Sequence, residues 1–416
     1  MRFLFYKIEY NIVHNNPFRY LVKVQKTYKI LKFSGDNYFC NHIDYVTKNS
    51  ILRHTKIQHI YEKVAHGVTI SRMEAKTLYD RAPLATLMDL AHQRRKAKTN
   101  PRYVGWIVDR NVNITNGCFS QCTFCNFCVK PGDQKEYITT MDQYREKIIK
   151  LFSLGGNQLL LQGGMHPKLG LSFYTKLFND LKVEFPDLKL HALGPAEIHF
   201  MAQKAKVSNR QVLEELTSAG MDSLPGAGAE ILVDRVRNII SPRKCNSQQW
   251  LDVMLEAHQM GLVTSGTMMF GHVETVEERI EHLFRLREVQ AQKPEDAPGF
   301  VTFIPWPFMS EGTQLLQQQP NIDPVMSAEY IRTVALSRII LDNIHNLQAS
   351  LLTVGKDIAQ TCLFAGANDL GSIMIEENVV SSAGVRRTIE KNTITETIRT
   401  AGFTPRLRNQ AYEFVD

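Results

Sequence analysis

The sequence predicts an α/β protein built as a TIM-type (β/α) barrel of eight units with an N-terminal helical lead-in. Three observations point to it. Apolar strand-like runs alternate with helical stretches of ordinary length over residues 101–416, as in repeated βα units with right-handed crossovers. Eight such runs can be counted, the number that closes this kind of barrel. Polar and glycine-rich clusters follow the runs, where a parallel barrel collects its chemistry. An open doubly wound sheet is the alternative reading.

The elements follow in order. Residues 51–100 hold "ILRHTKIQHIYEKVAHG" and "SRMEAKTLYDRAPLATLMDLAHQRRKA", a helical segment expected to pack on the barrel. "NVNIT" (111–115) is the first strand, ending at a cysteine-rich loop. Thr140-x-x-Gln143 is a capping-box-like start for a helix that ends near Leu154. "NQLLLQ" (157–162) and "LKLHAL" (188–193) are the second and third strands. Ser208-x-x-Gln211 opens a helix that stops at Gly220, and "MDSLPGAGAEI" supplies a short fourth strand. "VTSGTMMFG" (263–271) is the fifth, followed by a helix capped at Thr275-x-x-Glu278, and "GFVTFIPW" (299–306) is the sixth. "LQASLLTVG" and "NDLGSIMI" stand as the seventh and eighth.

The formal charge of +7 lies wholly in residues 1–60, which hold 10 basic and 3 acidic residues; the 39 basic and 39 acidic residues beyond cancel. A neutral body argues against a phosphate-tracking groove, so no nucleic-acid partner is expected. Residues 1–50 read as a poorly ordered basic extension without a secretory signal. No run of about 18 uncharged apolar residues occurs, so no membrane span is expected. Seven cysteines, four of them within residues 118–128, do not make a disulfide framework and suggest a reducing cytosol.

Cys118, Cys122 and Cys125 form C-x3-C-x2-C, with Cys128 three residues further on. A structural zinc site needs a second cysteine pair, which is missing, and the spacing is not that of a ferredoxin. Three thiolates after the first barrel strand fit a 4Fe-4S cluster that leaves one iron open. Cys128 is either a fourth ligand or, by preference, a bystander.

This loop resembles that of the radical S-adenosylmethionine superfamily. The resemblance implies that the open iron is chelated by S-adenosyl-L-methionine and that one electron cleaves it to a 5′-deoxyadenosyl radical. Phe124 would cover the adenine. Gly155, Gly156 and Asn157, before the second strand, and Gln162 at its end would form the Gly-rich contact to the cofactor. "LLLQGGMHPKLGLSFY", "HALGPAEI", "GMDSLPGAGAEILVDRVR", "TMMFGHVETVEERIEHLFRLRE", "FIPWPF" and "GANDLGSIMIEENVVSSAG" are together similar to the dehypoxanthine futalosine cyclase family of the futalosine route to menaquinone. Gly117, Asn126 and Cys128 depart from the family pattern beside the cluster.

The resemblance implies that dehypoxanthine futalosine is the substrate. A ribose hydrogen would be abstracted, and the sugar radical would add to the benzoate ring. An electron donor such as flavodoxin or ferredoxin is implied as partner. Candidate catalytic residues at strand ends are His166, His191, Glu197, Glu230, His272 and Glu274, each set against a structural role. Trp306 is a stacking candidate, and Arg235 or Arg243 a partner for the benzoate carboxylate. Aminofutalosine synthase is the alternative enzyme, and a non-catalytic iron–sulfur electron carrier the alternative outside enzymes.

Overall fold

The structure is a computed structural model and describes residues 7–11, 21–25, 56–373, 375, 376, 378, 379, 381–384 and 389–415. The chain divides into two units, Met1–Lys56 and Ile57–Asp416. In the first, strands β1 (Lys7–Asn11) and β2 (Leu21–Gln25) pair antiparallel. The expectation of a poorly ordered extension otherwise falls outside the described residues.

The second unit begins with helical residues 57–65 and the helices Arg72–Arg81 and Leu84–Lys98. The run that follows is two strands separated by Val108: β3 (Tyr103–Ile107) and β4 (Asp109–Asn113). Six parallel strands follow β4 in one sheet: β5 (Gln158–Gln162), β6 (Lys189–Ala192), β7 (Ser223–Leu224), β8 (Val263–Phe270), β9 (Gly299–Pro307) and β10 (Asn346–Leu347). β11 (Asp369–Ser372) and β12 (Thr404–Leu407) both pair parallel with β3. Because β3 runs into β4, and Gln348 bridges to Asp369, the two sheets join into a curled parallel barrel. With β3 and β4 counted as one run, β3 to β11 supply eight strands.

Two expectations are corrected. The seventh strand covers only Asn346–Leu347, and Leu351–Val354 of the expected run is a short helix. A four-residue apolar run does not distinguish helix from strand by periodicity. The first strand starts eight residues before its expected beginning, at Tyr103. The strand β12 was not anticipated.

The strand pleat decides what faces the interior. On β4, Asp109, Asn111 and Asn113 line the central cavity; on β5, Gln158, Leu160 and Gln162 do. Leu159 and Leu161 point the other way and are fully buried. Thr140 and Thr275 cap the helices Met141–Ser153 and Val276–Ala291 through capping boxes, and Ser208 accepts from the Gln211 N–H. These caps fix where each helix leaves its loop.

Candidate functional site

The barrel encloses a cavity of about 430 Å³. Its two ends differ in chemistry. At the carboxyl ends of the strands lie Cys118, Cys122, Cys125 and Cys128, with Phe124, Gly163, Gly164, Glu197, Glu230 and Lys244. At the other end Asp109 and Gln158 begin their strands, and Arg408, Gln410 and Tyr412 arrive from beyond β12. Arg408 makes a two-pronged ion pair with Asp369, Nε–Oδ2 2.6 Å and Nη2–Oδ1 2.9 Å, and its guanidinium lies 3.6 Å from the Tyr412 ring centre. Trp306, Met269, Ile304, Phe308 and Leu351 make an apolar wall opposite the β4–β5 amides.

The cysteine loop is shaped by side chains that bond its backbone. Thr115 Oγ1 donates to Tyr137 O at 2.6 Å and accepts from Gly117 N at 3.1 Å, and Gln121 Nε2 donates to Cys118 O at 2.6 Å. A Cβ on Gly117 would lie 2.0 Å from Glu136 Oε1 and 2.9 Å from the His166 ring. Glycine therefore stands there because the Glu136–His166 pair occupies the space. A Cβ on Gly164 would lie 2.2 Å from Gly117 O, so the loop after β5 is seated directly on the cysteine loop.

Met165 N donates to Cys118 Sγ at 3.3 Å, and Ser120 Oγ lies 3.2 Å from Cys122 Sγ. Hydrogen bonds from Cys128 lower the Cys118 and Cys125 thiols to about 6 and about 7. The same bonds hold the proton on Cys128, whose thiol is raised. Burial pushes Cys122 up to about 11. Cys128 is thus half-buried and packed beside two of the predicted ligands, a position that a packed bystander and a fourth ligand share. Among the described residues no three His, Cys, Asp or Glu side chains cluster tightly enough to hold one ion. A cubane is a different demand, because its thiolates bind separate irons. The three predicted cysteines on one cavity wall, two of them easily ionised, with an N–H aimed at sulfur and a buried cation nearby, fit such a cluster.

That cation is Lys244. Its Nζ donates to Glu230 Oε1 at 3.0 Å and stands 5.4 Å from the Phe124 ring centre. Burial alone would lower its ammonium, but Cys122 and Glu230 hold it above its ordinary value. Glu230 lines the cavity with φ of 41°, its Oε2 3.6 Å from Arg237 Nη1. Burial pushes the Glu197 carboxyl up to about 8, while Lys244 and the Gly163 N–H pull the other way. Glu197 Oε1 has no hydrogen-bond partner. His191 Nδ1 is 2.6 Å from Ser223 Oγ, and burial, aided by Arg408, takes the imidazole down to about 3.

The structure thus brings His191, Glu197, Glu230, Phe124, Gln162, Trp306 and the cysteines to one cavity. It does not bring the others. Gly155, Gly156 and Asn157 precede β5, at the opposite end of that strand from the cysteine loop; Gly163 and Gly164, after the same strand, line the cavity instead. His166 is buried behind the loop, with Nε2 2.7 Å from Glu136 Oε1 and Nδ1 accepting from Lys168 N. Glu274 accepts from Gly271 N at 2.6 Å, His272 N at 2.9 Å and Arg279 Nε at 2.6 Å, while His272 Nε2 bonds Met269 O at 3.1 Å. Both side chains are fully shielded and outside the cavity. Arg235 pairs with Glu278, and Arg243 donates to Phe119 O; neither lines the cavity. Lys244, Asp109, Arg408 and Tyr412 were missed. Lys244 adjoins the selected Arg243 in a loop with no periodicity to say which one points inward, and the other three become neighbours only on closure of the barrel.

Comparison with known proteins agrees with this geometry. Residues 112–286 match the radical SAM superfamily and residues 297–416 the CofH/MqnC C-terminal region. A cyclic dehypoxanthine futalosine synthase of Streptomyces coelicolor is 40% identical over 362 residues, covering 86% of this chain and 88% of the relative. One from Halalkalibacterium halodurans is 36% identical over 86% of this chain and 95% of its own. A 5-amino-6-(D-ribitylamino)uracil–L-tyrosine 4-hydroxyphenyl transferase of Methanococcoides burtonii is also 36% identical, over 78% of this chain and 89% of its own. In fold, methylornithine synthase (PylB) superimposes with a TM-score of 0.61 at 18% identity, over 85% of this chain and 98% of that one. The [FeFe]-hydrogenase maturase HydG gives 0.65 at 14%, over 86% and 77%. With a parallel barrel, a thiol-lined cavity and relatives matched over most of their length, the chain is an enzyme of the radical SAM superfamily and belongs to the family that holds the cyclic dehypoxanthine futalosine synthases and the related 4-hydroxyphenyl transferases.

Proposed function

We propose that this enzyme cyclises dehypoxanthine futalosine, joining a ribose carbon to the benzoate ring, in the futalosine route to menaquinone. The observation that supports it most is the cavity itself: thiols, hydrogen-bonding amides and an aromatic wall line one cavity, as a substrate with a sugar and a ring requires. The likeness to the two synthases supports the same reading. Cys118, Cys122 and Cys125 would hold the 4Fe-4S cluster, with Phe124, Gln162, Gly163 and Gly164 placed for S-adenosyl-L-methionine. When bound, these groups supply the adenosyl radical that removes one hydrogen atom; flavodoxin or ferredoxin is the proposed source of the electron.

The protein's own contributions are positioning, dryness and proton handling. Trp306, Met269 and Phe308 shield the reacting atoms from water. His191, neutral above about pH 3 and steadied by Ser223, is the acceptor for the ring proton, and the one electron lost with it as the ring becomes aromatic again would pass back to the electron carrier. Glu197 keeps its proton up to about pH 8, and near neutrality it donates a hydrogen bond and shares the proton handling with His191. Lys244 balances negative charge beside the thiols.

The test is an anaerobic assay of reconstituted, reduced enzyme with S-adenosyl-L-methionine and dehypoxanthine futalosine. It follows 5′-deoxyadenosine and a product two hydrogens lighter than the substrate. Both together support the proposal; deoxyadenosine without a lighter product overturns it. Turnover of L-tyrosine with the ribitylaminouracil would move the enzyme to the transferase activity. One observation favours a second reading, electron carriage through four thiolates: Cys128 stands within hydrogen-bond reach of both Cys118 and Cys125, close enough to join them as a ligand on losing its proton. Cys128→Ala separates the two. A carrier loses its cluster absorbance, whereas the radical enzyme retains its iron and still cleaves S-adenosyl-L-methionine.

A further inference from the structure

The pleat and register of the first two cavity strands place hydrogen-bonding side chains at three depths. Asn113 and Gln162 stand level next to the cysteine loop. Asn111 is level with Leu160, which is level with His191. Asp109 and Gln158 are level at the inner end. At about 3.3 Å per residue, Gln158 lies roughly 13 Å deeper than Gln162.

Two of these side chains are 3% and 5% exposed and have an oxygen without a partner: Asn111 Oδ1 and Gln158 Oε1. Gln158 cannot turn its oxygen away, because its Nε2 donates to Asp109 Oδ2 at 3.0 Å and the carboxylate fixes which end of the amide is the donor. Desolvated acceptors facing a cavity call for a ligand that brings donors. An anion is refused by the two carbonyl oxygens and Asp109. A cation would leave water for two amide oxygens and a carboxyl whose oxygens already accept from Gln158 and Ser372, too little to replace its hydration. A neutral hydroxyl suits both demands. One hydroxyl can donate to Asn111 Oδ1 and accept from Asn113 Nδ2, two residues along the same strand and also buried without a partner, and a second can donate to the deeper Gln158 Oε1. Several such atoms along one wall fit adjacent hydroxyls.

We propose that Asn111, Gln158 and Asn113 form a pentose-hydroxyl subsite on the β4–β5 wall, which holds the substrate's sugar there and turns its carboxylate elsewhere. The sugar's assignment to the substrate rests on the proposed function; its hydroxyl chemistry does not. Pentose hydroxyls also occur in S-adenosyl-L-methionine, so the test must tell the two sources apart.

The test measures binding to the anaerobic cluster-loaded enzyme of three probes: methyl β-D-ribofuranoside, S-adenosyl-L-methionine and dehypoxanthine futalosine. It compares the parent, Asn111→Ala and Gln158→Leu, with thermal denaturation as a check on folding. Each substitution should weaken the ribofuranoside and the futalosine about tenfold and leave S-adenosyl-L-methionine affinity unchanged. The 2-deoxy ribofuranoside should lose a similar factor on one of the parent's contacts and no further factor on the variant lacking that contact. Asn111→Ala, which disturbs no internal hydrogen bond, keeps the test valid if Gln158→Leu fails to fold. Equal affinity of parent and Asn111→Ala for the ribofuranoside overturns the subsite. A loss of S-adenosyl-L-methionine affinity alone overturns its assignment to the substrate. An enzyme that binds the ribofuranoside through these residues, but neither binds nor cyclises the futalosine, supports the subsite and overturns the proposed function.

Discussion

Two histidine and glutamate sets were chosen from the sequence on the same ground, that each follows a strand, and the structure gives them opposite characters. His272 and Glu274 spend all their hydrogen-bonding capacity on their own loop. Glu274 takes two backbone N–H groups and the Arg279 guanidinium, and although burial would raise its carboxyl, His272, Arg279 and Gly271 hold it down at about 2. His191 and Glu197 face the cavity, and Glu197 keeps one oxygen unpartnered with its carboxyl pushed up to about 8. Equal burial therefore does not mean equal role. A buried carboxylate with both oxygens engaged holds a turn together; one with an idle oxygen beside a cavity is available to a ligand.

The largest effect that would test this contrast is on stability. Glu274→Ala leaves the buried Arg279 with Glu329 as its remaining carboxylate partner and two loop N–H groups unmet, and should cost about 2–4 kcal/mol in denaturant unfolding. Turnover per folded molecule should be unchanged. A large loss of turnover in a fully folded variant would return Glu274 to the active site. Next comes Glu197→Gln. It keeps the shape and a hydrogen-bond donor but cannot exchange a proton, and should lower kcat about 100-fold if proton handling is its task. Its unfolding midpoint should not fall, since no ion pair is lost. Unchanged kcat would reduce Glu197 to a passive donor and place the proton chemistry on His191 alone.

The same contrast explains what was legible in the sequence. The barrel could be read because strand runs such as QLLLQ and VTSGTMMF are buried on both faces and separated by well-capped helices. The three cysteines could be read because their spacing is local. The expected cofactor contact at Gly155–Asn157 lies away from the cavity, which Gly163 and Gly164 line instead. Both glycine pairs flank β5, and only the pair after the strand lies on the barrel face that holds the chemistry. Nothing local separates Glu197 from Glu274. The first follows β6 at the start of a helix with no donor but a backbone N–H to meet it, and the second precedes a helix that returns Arg279 one turn later. Arg408 and Tyr412 could not be foreseen, since they reach Asp369 and Asp109 only through the pairing of β12 with β3.

The smallest effect is also the most direct measure of the difference, because the two carboxyls make stability depend on pH with opposite sign. Glu274 has a folded value of about 2 against an ordinary 4.5, so its contribution is complete above pH 4.5 and is lost as pH falls toward 2. Glu197 has a folded value of about 8 against the same 4.5, so its protonated form favours the fold fully below pH 4.5 and that advantage is lost as pH rises to 8. Between pH 5.5 and 7.5 only the second slope operates. Relative to the parent, Glu197→Gln, which cannot ionise, should therefore gain about 1.4 kcal/mol of stability per pH unit across that window. Paired denaturant titrations of the cluster-loaded proteins at three pH values measure it. A flat difference would mean that Glu197 is already ionised in the folded protein, as Glu274 is; its unpartnered oxygen would then belong to a resident base, and the ring proton would pass to Glu197 instead of His191.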